Sequence, residues 1–134
     1  MAHLHRGRGY VYSIQYHIVW CVKYRHKILY GAVEHKLIDV LNEIAKEQGN
    51  SILALQANLD HVHLLVDTSP QVYIPNLVKA LKGVSARRLF QAFPELKSQL
   101  WGGHLWNPSY FVATVGINVE DKVKEYIMSQ KEQS

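Results

Sequence analysis

Three observations predict an α+β chain with a ferredoxin-like (RRM-like) β-α-β-β-α-β antiparallel sheet. The apolar pattern switches between period two and a helical period in that order. A further helical stretch follows the last strand, and 134 residues suffice for one modest core. In such a sheet the two crossover helices cover one face. The other face is left for the C-terminal helix. One domain over residues 1–134 is expected, with residues 1–9 as a flexible tail.

Residues 10–24 (YVYSIQYHIVWCVKY) are rich in β-branched and aromatic side chains and predict one long central strand. Alternation places Tyr12, Ile14, Tyr16, Ile18 and Trp20 on its core face, and Ser13, Gln15, His17 and Cys21 on a more polar one. Residues 32–48 repeat apolar positions at Val33, Leu37, Val40, Leu41 and Ile44, a helix that Gly49 ends. Residues 51–57 and 61–67 read as two strands joined at Asn58–Asp60, a hairpin. Pro75 suits the first turn of a helix running to about Phe93, with Leu77, Val78, Leu81 and Leu89 inward. A loop bounded by Pro94 and Gly102–Gly103 leads to a fourth strand over 109–115. Gly116 breaks it, and a helix follows over about 119–130.

Fifteen Lys+Arg against eleven Asp+Glu give a formal charge of +4, which favours a polyanionic partner without establishing one. A single cysteine, Cys21, rules out an intrachain disulfide framework, fits a reducing compartment and is expected to pack as a small hydrophobe. No stretch has the ~20 apolar residues of a membrane span, so a cytoplasmic protein is expected, with no membrane partner.

Chemistry concentrates in two places. His61 and His63 stand two apart in a strand, so both imidazoles leave the same face while Val62, Leu64 and Val66 enter the core. Two such imidazoles can share one metal ion. Spacing alone is weak evidence, because eight histidines produce an H-x-H in about one such chain in two. His3 and His5 repeat the spacing in the expected tail, with no strand to orient them. Strand placement distinguishes the second pair. Asp60 beside it either orients His61 or simply forms the turn. His17 and His104 have no assigned place.

The second is Tyr126 with Gln130, four apart and hence on one helix face. Tyr126 with Val123 could be an ordinary core stripe. Gln130 suits a core poorly, however, and can give a metal an oxygen ligand. A divalent ion at His61, His63 and Gln130, with a phenol beside it, suits phosphodiester chemistry. Mg²⁺ prefers oxygen donors, and two imidazoles make Mn²⁺ equally suitable.

Over nearly its whole length the chain resembles the single-tyrosine HUH transposases of the smallest bacterial and archaeal insertion sequences. The resemblance runs through YHIVWCVKYRHKIL (16–29), LDHVHLLVD (59–67), LKGVSARRLF (81–90), LWNPSYFVATVG (105–116) and VKEYIMSQ (123–130), in the family's order. It implies a DNA transposase that cleaves and rejoins single strands at element ends through a 5′-phosphotyrosine and recognises DNA hairpins. It also implies a homodimer in which the histidine pair of one subunit meets the tyrosine helix of the other. By position, Tyr126 is the nucleophile and His61, His63 and Gln130 are the metal ligands. Ser85, Arg87 and Arg88 fall in a stretch of DNA contacts, and Lys23, Arg25 and Lys82 are further expected contacts. The rival of a different class is a non-catalytic single-strand-binding module on the same sheet, which would need exposed aromatics to stack bases. A domesticated relative acting on hairpins is the nearer one.

Overall fold

The computed structural model describes residues 4–100, 103–115, 123–124 and 126–128. Strands β1 (His5–Gly7) and β2 (Tyr10–Tyr12) form a separate antiparallel hairpin. Then come β3 (Ile14–Cys21), α1 (Gly31–Glu47), β4 (Ser51–Asn58), β5 (His61–Thr68), α2 (Ile74–Ala92), a short α3 (Leu96–Gln99) and β6 (Phe111–Thr114). The main sheet has the order β4-β5-β3-β6, antiparallel throughout, as the ferredoxin-like arrangement requires.

The core lies between this sheet and the two long helices. Ile18 and Trp20 of β3 and Val62, Leu64 and Val66 of β5 point into it. They meet Leu37, Val40, Leu41 and Ile44 of α1 and Leu77, Val78, Leu81 and Leu89 of α2. Each such aliphatic side chain stabilises the fold by ~1.5–3 kcal/mol. Trp106 closes one end, its ring edge-on to Trp20 at 5.8 Å. Gly49, at φ +78°, takes the left-handed position that ends α1.

Two expectations need correction. The strand expected over 10–24 is two strands, because the chain changes sheets at Ser13. Tyr12 therefore stacks on His5, with ring centroids 5.1 Å apart, instead of continuing the core face of β3. Residues 1–9 were expected as a tail, yet from His5 onward they form the hairpin. Gly9 at φ +81° makes its two-residue turn, and the His5 imidazole is hydrogen-bonded to the Asp67 carboxylate. His3 lies outside the described residues.

Candidate active site

The face of the sheet away from α1 and α2 carries the odd-numbered residues of β5 and β3. Register sets Cys21 opposite His61, Val19 opposite His63, His17 opposite Leu65 and Gln15 opposite Asp67. On the other flank, Asn58 faces His61 and Gln56 faces His63. His61 and His63 thus share one face, as alternation predicts, while Val62 between them is fully buried. Cys21 is half-exposed on this face and does not join the core.

The turn Leu59–Asp60 orients the first histidine. Asp60 Oδ1 accepts a hydrogen bond from His61 Nδ1 at 2.9 Å, and Arg25 Nε donates to Asp60 Oδ2 at 3.2 Å. The His61 hydrogen bond, followed by Arg25, holds the Asp60 carboxyl below its ordinary range against the opposing effect of desolvation. A carboxylate on Nδ1 fixes the tautomer that leaves the Nε2 lone pair outward. Asn58 Nδ2 stands 3.5 Å from that nitrogen, a long contact consistent with the assignment.

The turn is held from the other side by the segment after β3. Val22 N–H donates to Asp60 O and Leu29 N–H to Leu59 O, both at 2.8 Å. Leu59 is left-handed at φ 54°, as are Tyr24 and Arg25 at φ 56°. Three non-glycine residues in this region, all beside the histidines, mark locally stored backbone strain.

His17, unassigned from sequence, belongs to the site. Its Nδ1 lies 3.1 Å from Nε2 of His63, and the two rings share a hydrogen bond. Its position on the polar side of the β3 alternation was the available signal. Phe111 of β6, paired with Val19, adds an aromatic side chain 61% exposed to the same face.

Tyr126 lies in a helical stretch, with described residues 123–124 and 126–128, and is 42% exposed. Its neighbours Val123, Ile127 and Met128 are 49%, 49% and 57% exposed, so this stretch is not part of the core described above. Gln130 lies outside the described residues. Among those described, no three His, Cys, Asp or Glu side chains converge on one point, so a metal at His61 and His63 needs ligands beyond that set. The donor chemistry nonetheless fits a divalent ion: two adjacent imidazoles, one with its tautomer set by a carboxylate.

The expected DNA contacts divide. Ser85 is fully buried. Its Oγ accepts from Trp106 Nε1 at 3.0 Å and donates to Lys82 O at 3.1 Å, so it braces α2 against Trp106 and cannot meet a DNA strand. It continues the Leu81–Leu89 stripe at four-residue spacing, a signal present in the sequence. Lys82 turns inward, donating to Asn107 O at 2.6 Å and Ser109 O at 3.1 Å, and burial lowers its pKa. Arg88 pairs with Glu43 of α1 at 2.6 Å. Arg87 is exposed beside Lys79 on a surface groove of about 410 Å³. Lys23 lies over the Tyr24 ring at 5.6 Å, and Arg25 is the partner of Asp60.

The histidine pair stands on strand β5, on the open face of a ferredoxin-like sheet, and comparison with known proteins puts the chain in a class of DNA-processing proteins. Residues 10–130 match the family of IS200-like transposases. The chain belongs to that family, whose members cut DNA and transfer strands. It is 53% identical to the ISDra2 transposase TnpA of Deinococcus radiodurans, over 93% of this chain and 89% of that one. It is 30% identical to the IS200 transposase of Salmonella typhimurium, over 91% and 80%. A solved transposase structure from Deinococcus radiodurans superposes with a TM-score of 0.80 at 50% identity, covering 93% of this chain and 96% of that one. A REP-associated tyrosine transposase, solved bound to a REP hairpin, shares the fold at a TM-score of 0.57 and 11% identity, covering 89% and 67%. No helix among the described residues is long and apolar enough to cross a membrane.

Proposed function

We propose that the protein cleaves and rejoins single-stranded DNA at insertion-sequence ends through a tyrosine nucleophile assisted by a divalent cation. The observation that carries this reading is the His61–His63 pair on one face of β5, with Asp60 fixing the tautomer of His61. His61, His63 and Gln130 would hold Mg²⁺ or Mn²⁺. When bound, the cation supplies a Lewis acid that polarises the scissile phosphate and offsets charge developing on it.

Tyr126 Oη attacks phosphorus in line. The P–Oη bond forms as the P–O3′ bond breaks, the phenol gives up its proton, and the departing 3′ oxygen takes one up. The product is a 5′-phosphotyrosine and a free 3′-hydroxyl. Attack by a 3′-hydroxyl on that linkage runs the same exchange backwards, so rejoining needs no ATP. A phenol of pKa ~10 is a weak nucleophile at neutral pH, which is why the assisting charge matters.

The exposed apolar side chains around Tyr126 and the exposed Phe111 on β6 support a homodimer with the tyrosine helix of one subunit against the histidine face of the other. DNA hairpins are proposed as the recognised form by likeness to the hairpin-bound relative.

The test is to incubate the protein with hairpin-bearing single strands from element ends and Mg²⁺ or Mn²⁺, then seek a covalent adduct on a denaturing gel. Wild type should form one and Tyr126→Phe should not. An adduct persisting in Tyr126→Phe would overturn the nucleophile assignment. Tight binding with no adduct for any strand would favour a non-catalytic binding module.

A further inference from the structure

The family match begins at residue 10, so β1 lies ahead of it. The hairpin that β1 makes with β2 is fixed to the body at two points, His5 and Tyr10. The His5 imidazole is hydrogen-bonded to Asp67, which is nearly buried and also accepts from Gln15 Nε2 at 2.6 Å. Within the hairpin, His5 stacks on Tyr12. Tyr10 Oη accepts from Gln71 Nε2 at 2.7 Å.

Tyr10 is held in an unusual way. Its ring lies directly on the bare α-carbon of Gly7, where an added Cβ would fall 2.1 Å from Cζ. Gly7 is thus required for the ring's position, and the ring is still 41% exposed. A ring fixed in this way loses little side-chain entropy when a flat partner stacks on it. Arg8, at the tip of the turn, and Arg6 are both exposed, and among the described residues neither pairs with a carboxylate. Two unpaired guanidinium groups on the hairpin that carries a fixed aromatic ring, Arg8 at its tip and Arg6 on its other face, match one ligand chemistry, phosphates carrying unpaired bases.

The hairpin also stands in a relevant place. Asp67, its anchor, and His63 occupy the same face of β5 four residues apart, roughly 13 Å at strand rise. A strand crossing the histidine face along β5 would run on to Tyr10 and the arginines. We infer that the β1–β2 hairpin is a second grip on single-stranded DNA, holding the strand that flanks the cleaved phosphate by stacking on Tyr10 and ion pairing with Arg6 and Arg8. This inference rests on the proposed single-strand chemistry of the histidine face.

The test uses the full chain and a fluorescent oligothymidylate without hairpins, with affinity measured by anisotropy across a salt series. Arg6→Ala/Arg8→Ala should flatten the slope of log K against log salt by about 1.4, since each single-strand phosphate contact contributes about 0.7. Tyr10→Leu should weaken binding roughly 5- to 150-fold, the range for loss of one stacked base, and Tyr10→Trp should retain it. Retention in Tyr10→Trp shows that the fold has survived substitution there. A 5-iodouracil strand should photocrosslink at Tyr10. Unchanged affinity and slope in the double arginine variant would overturn the grip. If wild type forms the covalent adduct while the slope is unchanged, the grip alone fails. If the slope falls as expected but no adduct ever forms, the catalytic reading fails and the grip stands.

Discussion

Asp60 Oδ1 and His61 Nδ1, neighbours in sequence, are hydrogen-bonded across the β4–β5 turn at 2.9 Å. Because Asp60 touches no scissile group in this reading, its effect must pass through the imidazole. Asp60→Ala is expected to lower Mn²⁺ affinity about 10- to 100-fold in calorimetric titration, the usual loss on removing such an orienting carboxylate. Asp60→Asn keeps an acceptor oxygen and should lose less. Equal, negligible losses in both variants would dissociate Asp60 from metal binding.

The exposed apolar side chains near Tyr126 lead to a complementation experiment. Tyr126→Phe and His63→Ala should each abolish the covalent adduct alone. When the two are unfolded and refolded together, random pairing makes about half the dimers mixed, each with one intact site if sites are shared. About a quarter of the wild-type adduct should then return. No recovery from verified mixed dimers would place both residues of a working site in one subunit.

Ser85→Ala should act on the fold and not on DNA. It strands the buried Trp106 N–H, whose hydrogen bond to Ser85 Oγ measures 3.0 Å, at an expected cost of about 1–3 kcal/mol in urea unfolding. Single-strand affinity in the folded variant should match wild type. A large loss of affinity without destabilisation would return Ser85 to the DNA surface.

Lys82 gives a pH dependence with a definite sign. Burial lowers its pKa from 10.5, so the folded chain holds this proton less tightly than the unfolded chain does. The folded lysine deprotonates first as pH rises, and between the lowered value and 10.5 the stability contribution of this group increases with pH. Unfolding free energies of wild type minus Lys82→Met should therefore rise with pH on the approach to the ordinary lysine value. A difference that falls over that window would show that the two carbonyl contacts outweigh desolvation.

Much of the site was legible because it depends on short-range rules. Alternation alone placed His61 and His63 outward with Val62 inward, and Asn58–Asp60 marked the turn that orients them. The helices of the core were legible from spacing and from Gly49 and Pro75. What escaped depends on partners far along the chain. His5 looked untethered because its anchor, Asp67, is 62 positions away. Residues 10–24 looked continuous because nothing in their composition records that β2 and β3 pair with different strands. The basic residues of α2 looked like one DNA-facing set, yet Lys82 and Arg88 are engaged by Asn107, Ser109 and Glu43, all distant in sequence.

The two-residue turn between Asn58 and His61 sets a constraint of length more than of chemistry. Side chains on β5 alternate strictly, so slipping the strand by one position against its neighbours would send both histidines into the apolar interior and bring Val62 and Leu64 out to solvent. Substitutions at Leu59 would disturb the local geometry, but a single inserted or deleted residue there would turn the face inside out. Drift in this segment should therefore change its letters and spare their number.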